Sequence, residues 1–343
     1  MRTTVQIVLP GLFDLPLHEL EPKLLREELP QLNRILRRAT AKSNRAYTID
    51  AILGSALALH DSPQVVPEGL AMAQAFADDA AVEGERMLLC QAIHLRPDMH
   101  SAVIVPIPAD DNNLQDINIL INDLGDIFKV DCDIDAVADG LFLLQLEQFE
   151  APTCYPHILS VLGKTANPYI AQSRQNLPWY KLLNEIQMFM HQHPVNQQRI
   201  QRGRLPINSL WFWGGGRRCR SPDSSLAWFC DDPLLNRFAR SLGLAPRPCS
   251  EIDTIDGPGD ALVIDLRLLE LLKTERQVPL EQLLLDIDRT LLQPLLATVR
   301  KGRTQIVLRA GYELDFILKP SALMKFWRTQ KNLSDWATVG DGS

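Results

Sequence analysis

Residues Leu183–Arg218 read LNEIQMFMHQHPVNQQRIQRGRLPINSLWFWGGGRR. A helical pattern, a proline stop, a polar loop and a Trp-rich strand pattern follow one another here, ending in three glycines and two arginines. Trp179, Leu182, Leu183, Ile186, Phe189 and Met190 recur at the spacing of a helix that packs one face on a sheet. Pro194 ends that helix, and 210–213 is the short continuous apolar run of a buried strand. The stretch is therefore expected to carry the chain back into a central α/β sheet.

The pattern continues on both sides of it. Val5–Leu9 is a β-branched run bounded by Pro10-Gly11, and Leu25, Leu29, Leu32, Ile35 and Leu36 then have helical spacing. Helices are predicted over 50–59 and 67–81. From Met87 the texture changes to short strand patterns at 87–89, 102–107, 127–130 and 141–146, separated by an acidic helical run over 110–125. Pro152, Pro156 and Pro168 punctuate the end of that region. Downstream, strands at 227–229, 261–265, 304–308 and 314–318 alternate with helices at 232–242, 266–273 and 279–299. Such alternation implies a mostly parallel sheet. The expected organisation is a core formed by 1–85 and 179–335, an inserted α+β lobe over 86–178, and a tail at 336–343.

The chain has 343 residues, 46% hydrophobic and 22% charged, which is the composition of an ordinary globular protein. Its net charge of −7 argues against a broad nucleic-acid-binding face. Arg34, Arg37 and Arg38 do gather on one predicted helix, where a solvated face is the plain reading. Cys90, Cys132, Cys154, Cys219, Cys230 and Cys249 form no CxxC pair, so neither a zinc site nor a disulfide framework is expected. A reducing cytoplasm fits. No apolar stretch reaches the roughly 18–20 residues of a membrane span.

His193 closes the predicted helix, either bonding its last carbonyls or facing a crevice. With Asn196, Arg199 and Asn208 it offers directional donors suited to a phosphorylated or carboxylated ligand. Gly214, Gly215 and Gly216 can form either a permissive loop or a nest of N–H groups for an anion, with Arg217 and Arg218 supplying charge. Ser221, Ser224 and Ser225 follow, yet all seven histidines lie at or before His193, and no triad spacing is present. Asp265, Asp286, Asp288 and Asp315 have cap or surface readings besides that of cation ligands.

His193-Pro194-Val195-Asn196, Arg199, Gly203, Pro206, Asn208 and WFWGGG resemble the HPVNxxRxxxGxxPANxIWxWGxG signature of archaeal-type, cofactor-independent phosphoglycerate mutases of the alkaline phosphatase superfamily. VQIVLPGLFDLP followed by PQLNRILRRA resembles that family's opening. LCQAIHLRPDMHSAVIV and WFCDDPLLNRFARSLG resemble segments of a divergent branch, the RpfE-type bacterial regulatory proteins. The resemblance implies an alkaline-phosphatase-like three-layer α/β core with a mostly parallel sheet and an inserted α+β lobe. It also implies two divalent metals and a nucleophilic serine, and here those positions depart from the pattern. The early metal-binding Asp falls on Pro10, the nucleophile on Arg45 with Ser43 and Ser55 nearest, the DxxxH pair on Asp265 and Leu269, and the late DH pair near Ala310 and Gly311.

The expectation is a degenerate, pseudoenzyme-like cytoplasmic regulatory or metabolite-sensing protein, with no metal and no cofactor. It would grip its ligand through His193, Asn196, Arg199, Asn208, Gly214, Gly216, Arg217 and Arg218. Two alternatives stand beside it: an active mutase, phosphotransferase or phosphatase with relocated residues, and a scaffold that binds a protein partner through the inserted lobe. Neither a nucleic acid nor a membrane is an expected partner.

Overall fold

The computed structural model describes residues 3–16, 19–43, 48–57, 71–76, 86–99, 101–108, 110–152, 155–216, 222, 225–255, 259–273, 279–302, 304–310, 314–324, 333 and 335. The strands are β1 (Thr3–Val8), β2 (Thr40–Ser43), β3 (Met87–Asp98), β4 (Ser101–Pro106), β5 (Cys132–Ala138), β6 (Leu141–Leu146), β7 (Ser209–Trp213), β8 (Ala227–Cys230), β9 (Pro246–Arg247), β10 (Ala261–Ile264), β11 (Thr304–Arg309) and β12 (Leu314–Leu318). The α-helices are α1 (Pro30–Arg38), α2 (Ile49–Ala56), α3 (Asp111–Phe128), α4 (Asn167–Ser173), α5 (Leu177–Gln192), α6 (Pro194–Gln201), α7 (Pro233–Ser241), α8 (Arg267–Lys273), α9 (Leu280–Asp286), α10 (Gln293–Arg300) and α11 (Pro320–Leu323). The chain divides into two compact units, 1–66 with 220–343, and 67–219.

The first unit is a mixed α/β fold on a seven-stranded sheet ordered β2-β12-β11-β1-β10-β8-β9. From β11 to β9 the strands are parallel; β12 and β2 add an antiparallel edge. Alternate residues Val5, Ile7, Val263, Ile306 and Leu308 share a core with Leu32, Ile35 and Leu36 of α1 and with the apolar side of 280–300. Their neighbours Val8, Leu262, Ile264 and Trp228 are buried as well. A parallel sheet covered on both faces needs such continuous apolar sequence, which β10 shows throughout and β1 from Ile7 onward.

The stretch expected as one helix over 279–299 is interrupted by a π-helical turn, Ile287–Leu292, between α9 and α10. Pro294 has no N–H to offer the preceding turn, and a π turn absorbs that loss without ending the helix. The turn carries Asp288 inward, where it is 2% exposed and accepts the Gln31 N–H at 3.0 Å and the Leu32 N–H at 2.7 Å. Leu29 offers α1 no capping side chain, so a carboxylate 256 positions away in sequence does that work.

The second unit holds a five-stranded antiparallel sheet, β4-β3-β6-β5, with β7 also against β3. The boundary of the lobe accordingly differs from expectation. It runs over 67–219 rather than 86–178, and β7 pairs Trp213 with Leu89 instead of joining the parallel sheet. All five residues of β7 are buried, a pattern shared by parallel core strands, so its apolar run alone could not tell the two sheets apart. Aromatic packing produces that burial: Phe212 meets Trp179 edge-on, and Trp211 meets Tyr155 and Tyr169. The strand expected at 127–130 is instead the end and turn of α3, since Leu120, Leu124 and Phe128 continue the buried helical stripe. The helix expected over 67–81 is described only at Met72–Phe76, as a 3-10 turn whose Ala73 N–H bonds Gly214 O at 2.9 Å. The expected tail at 336–343 lies outside the described residues.

Two stability effects follow from these packings. Asp288→Ala strands two amide donors at the start of α1 and is expected to cost about 1–3 kcal/mol in chemical denaturation. His157 lies buried against the Trp213 ring at 4.2 Å, and burial pushes its pKa down to about 3. Its unfolded value is near ~6.5, so the stability it protects is complete above that pH and falls as pH drops toward 3, by up to ~1.4 kcal/mol per pH unit. Denaturation midpoints measured from pH 7 to 4 should fall less steeply in His157→Gln than in the parent chain.

Candidate functional site

The two candidate regions are the 193–216 stretch in the second unit and the carboxyl edge of the parallel sheet in the first. His193 sits between α5 and α6 with extended backbone and caps α6, its Nδ1 accepting the Val195 N–H at 3.2 Å. That leaves the proton on Nε2, which donates to Asp123 Oδ2 of α3 at 3.0 Å. Asn196 donates to Met190 O and Ile207 O and accepts the Ile207 N–H, each at 2.7 Å. Arg199, 2% exposed, donates from Nε to Leu205 O at 2.9 Å and from a terminal nitrogen to Asp116 Oδ2 at 2.6 Å.

Asn208 accepts the Leu95 N–H at 2.7 Å and donates to Leu95 O at 3.0 Å, so its amide extends the β7–β3 pairing by one step. These four side chains thus do gather around one loop. Their hydrogen bonds tie α3, α5, α6 and β3 together: they form an internal clasp. Gly203 makes its turn possible with φ +71°.

The glycines after β7 have a packing reason of their own. A Cβ on Gly215 would lie 2.6 Å from Leu88 Cδ2 and 3.2 Å from Met87 O, so the strand end can approach β3 only without a side chain. Gly214 and Gly216 have φ +71° and +140°, and the Gly214 carbonyl is held by Ala73. Arg217 and Arg218 lie outside the described residues.

In the first unit, Pro10 follows β1, Asp265 follows β10 and Ala310 follows β11, side by side at the carboxyl edge where open α/β sheets bind ligands. Asp265 is 5% exposed and fully engaged. It accepts the Arg267 N–H at 3.0 Å and grips the guanidinium with both oxygens, Nε at 3.0 and 3.2 Å and the terminal nitrogen at 2.7 Å. The other terminal nitrogen of Arg267 donates to Asp286 at 2.6 Å. Hydrogen bonding to Asp265 raises the Arg267 pKa further above its already high value, with Asp286 adding to it against the opposing effect of burial.

Leu269, where a histidine ligand would fall, is buried on α8. That helix crowds the Pro10-Gly11 turn so closely that a Cβ on Gly11 would meet Leu269 Cα and Leu272 Cδ1 at 3.2 Å. The neighbouring acids also have internal partners. Asp231 accepts the Cys249 N–H at 3.0 Å, and Asp232 caps α7 through the Leu235 N–H at 2.7 Å. The Cys249 thiol is pushed up, first by burial and then by Asp231 and Asp265, so it stays protonated and is no nucleophile. Ser55 Oγ accepts from Arg309, which also holds Gln6 and Asp315; Ser43 is exposed on β2. Arg45 and Gly311 lie outside the described residues.

The metal pair implied by the resemblance does not fit these residues. Among the described residues no group of three or more His, Cys, Asp or Glu is placed to hold a metal ion. Positive charge at this edge is supplied by a guanidinium, which neutralises carboxylates but cannot coordinate a water as a Lewis acid and so acidify it. Arg267 was not among the expected site residues, and Asp286 was read only as one of four acids with cap, surface or cation-ligand readings. An Asp and an Arg two apart, directly after a buried strand, were visible; that the Arg also reaches Asp286, 19 positions further on, was not.

No protein-family model matches the chain. It is 27% identical over 115 residues to a probable 2,3-bisphosphoglycerate-independent phosphoglycerate mutase of Geobacter sulfurreducens, covering 34% of this chain and 25% of that protein. It is 33% identical over 61 residues to a 2,3-bisphosphoglycerate-independent phosphoglycerate mutase of Methanosarcina barkeri, 18% of this chain and 15% of the other. The matched segments thus span a quarter or less of those relatives. Among solved structures, a cofactor-independent phosphoglycerate mutase from Thermoplasma acidophilum aligns with 98% of this chain and 95% of that one, at 16% identity and a TM-score of 0.44. Over part of its length the chain is therefore similar, at low identity, to 2,3-bisphosphoglycerate-independent phosphoglycerate mutases.

Proposed function

We propose that this chain is a degenerate phosphoglycerate-mutase-like protein on an alkaline-phosphatase-like core. In this reading it performs no metal-dependent phosphoryl transfer and serves as a cytoplasmic regulatory protein that senses a phosphorylated or carboxylated metabolite, as the RpfE-type resemblance implies. One observation carries the loss of chemistry: both oxygens of Asp265 are held by Arg267, which also reaches Asp286. Transfer of a phosphoryl group depends on metal ions to stabilise the charge spread over its oxygens and to activate the nucleophile. A fixed guanidinium beside Pro10 and Leu269 offers neither the coordination geometry nor a serine within the arrangement.

The sensing half of the reading rests on the clasp around 193–208. Arg199 and His193 are already bound to Asp116 and Asp123 of α3. An anionic metabolite recognised here exchanges one of these carboxylates for its own oxygens, and α3 loosens as it does so. Ligand binding and helix position are then the same event, which is what a sensor requires. The scaffold alternative draws on a different feature, the exposed Met188, Ile200 and Leu205 on and beside α5 and α6.

Two measurements separate these readings. With manganese present, interconversion of 3-phosphoglycerate and 2-phosphoglycerate is expected to stay at the level of a protein-free blank; turnover abolished by Asp265→Ala would restore the enzyme reading. In thermal-shift titration the phosphoglycerates should raise the melting temperature at millimolar concentration, and more strongly in Asp123→Asn, where the competing carboxylate is gone. No shift in either protein would leave the scaffold reading in possession of the lobe.

A further inference from the structure

The first unit carries a second concentration of charge, at the sheet edge opposite Pro10 and Asp265. Arg34 and Arg38 stand one turn apart on α1, and Arg300 ends α10. Helix α1 runs into β2 and α10 into β11. Because β2 and β11 are each antiparallel to β12, they point the same way, so both helix ends lie at the amino edge of the sheet. Helix α1 packs against the π-helical turn from which α10 continues, α1 and α10 share one core, and the charges of Arg300 and Arg38 both act on Arg34.

Among the described residues the charge of Arg34 and Arg38 is poorly compensated. Arg34 makes one long bond, 3.4 Å, to Gln31. A terminal nitrogen of Arg38 is shielded from solvent and has no hydrogen-bond partner among the described residues. Asp288, the nearby acid, spends its oxygens on the Gln31 and Leu32 amides. Burial lowers the Arg34 pKa, and the charges of Arg300 and then Arg38 lower it further, against a smaller pull upward from Asp288. A helix carboxyl end favours a cation by about 0.3–1 kcal/mol, which accounts for single arginines in such last turns. It does not account for three that repel one another, nor for a buried donor left unpaired.

We propose that Arg34, Arg38 and Arg300 form a binding site for a small multiply charged oxyanion, a phosphate ester or diphosphate, at the amino edge of the sheet. Guanidinium forks match such oxygens in pairs, and three of them suit a ligand with at least two negative charges. A long polyanion is disfavoured by the chain's net charge of −7. The site goes beyond the mutase-like reading and does not depend on it, since it lies at the opposite sheet edge from the Asp265–Arg267 pair and in the other unit from the 193–208 clasp.

Calorimetric titration with inorganic diphosphate at low ionic strength tests the site. One equivalent should bind, with affinity reduced about tenfold in Arg38→Gln and again in Arg300→Gln, the loss of one charge-assisted contact each. Arg240→Gln removes an exposed arginine from the last turn of α7 and should leave affinity within about twofold. Without ligand, Arg38→Gln should melt no lower than the parent chain, because it relieves repulsion. The site is overturned by an absence of binding, by affinity that both cluster substitutions leave intact, or by an equal loss in Arg240→Gln. A lower melting point of Arg38→Gln, together with no binding, would mean that these arginines only cap their helices.

Discussion

An ion-pair network of Asp265, Arg267 and Asp286 sets the carboxyl edge of the first unit's sheet. Arg267 fills the space between Asp265 and Asp286, and it does so from the first turn of the helix that follows Asp265. A buried carboxylate beside a strand end has to be neutralised, and a metal ion or an internal cation can each do so. A guanidinium here satisfies both oxygens geometrically and brings no reactivity. Once it is in place, α8 can close on the Pro10-Gly11 turn and Leu269 can be apolar. A cation attached to the chain is always in place, whereas a metal site has to be loaded.

The lobe shows the same principle in its 193–208 clasp. His193, Asn196, Arg199 and Asn208 are the residue types of an anion grip, yet each meets a partner supplied by the protein: Asp123, the Ile207 backbone, Asp116 and the Leu95 backbone. Buried polar groups are retained where every one of them is satisfied, and such a network fixes one arrangement of the elements it joins. A ligand acting on it has to compete with these internal partners, carboxylate against carboxylate. That competition is what gives the proposed sensing its link to the position of α3.

Much of the fold was legible because its signals are local. Val5–Val8 and Ala261–Ile264 were readable as buried strands from β-branched apolar runs, and α5 from its 3.6-residue stripe with Pro194 after it. What could not be read was non-local. The sheet to which β7 belongs is decided by its pairing with Leu89–Ile93, more than a hundred residues earlier, while its own sequence fits either sheet. The roles of His193 and Arg199 turn on Asp123 and Asp116, whose spacing on α3 looks like an ordinary solvated helix face. Asp288 reads as a surface acid until the π turn aims it at the start of α1. The chemistry of a side chain is visible in sequence, whereas the partner that uses up that chemistry is not.

We propose that Arg267 stands where a divalent metal would, and metal content tests this most directly. Elemental analysis of the full chain purified without chelator, then dialysed against manganese and zinc and freed of excess ion, should find well under one equivalent of either. One or two equivalents that persist through gel filtration, and that disappear in Asp265→Ala, would contradict it.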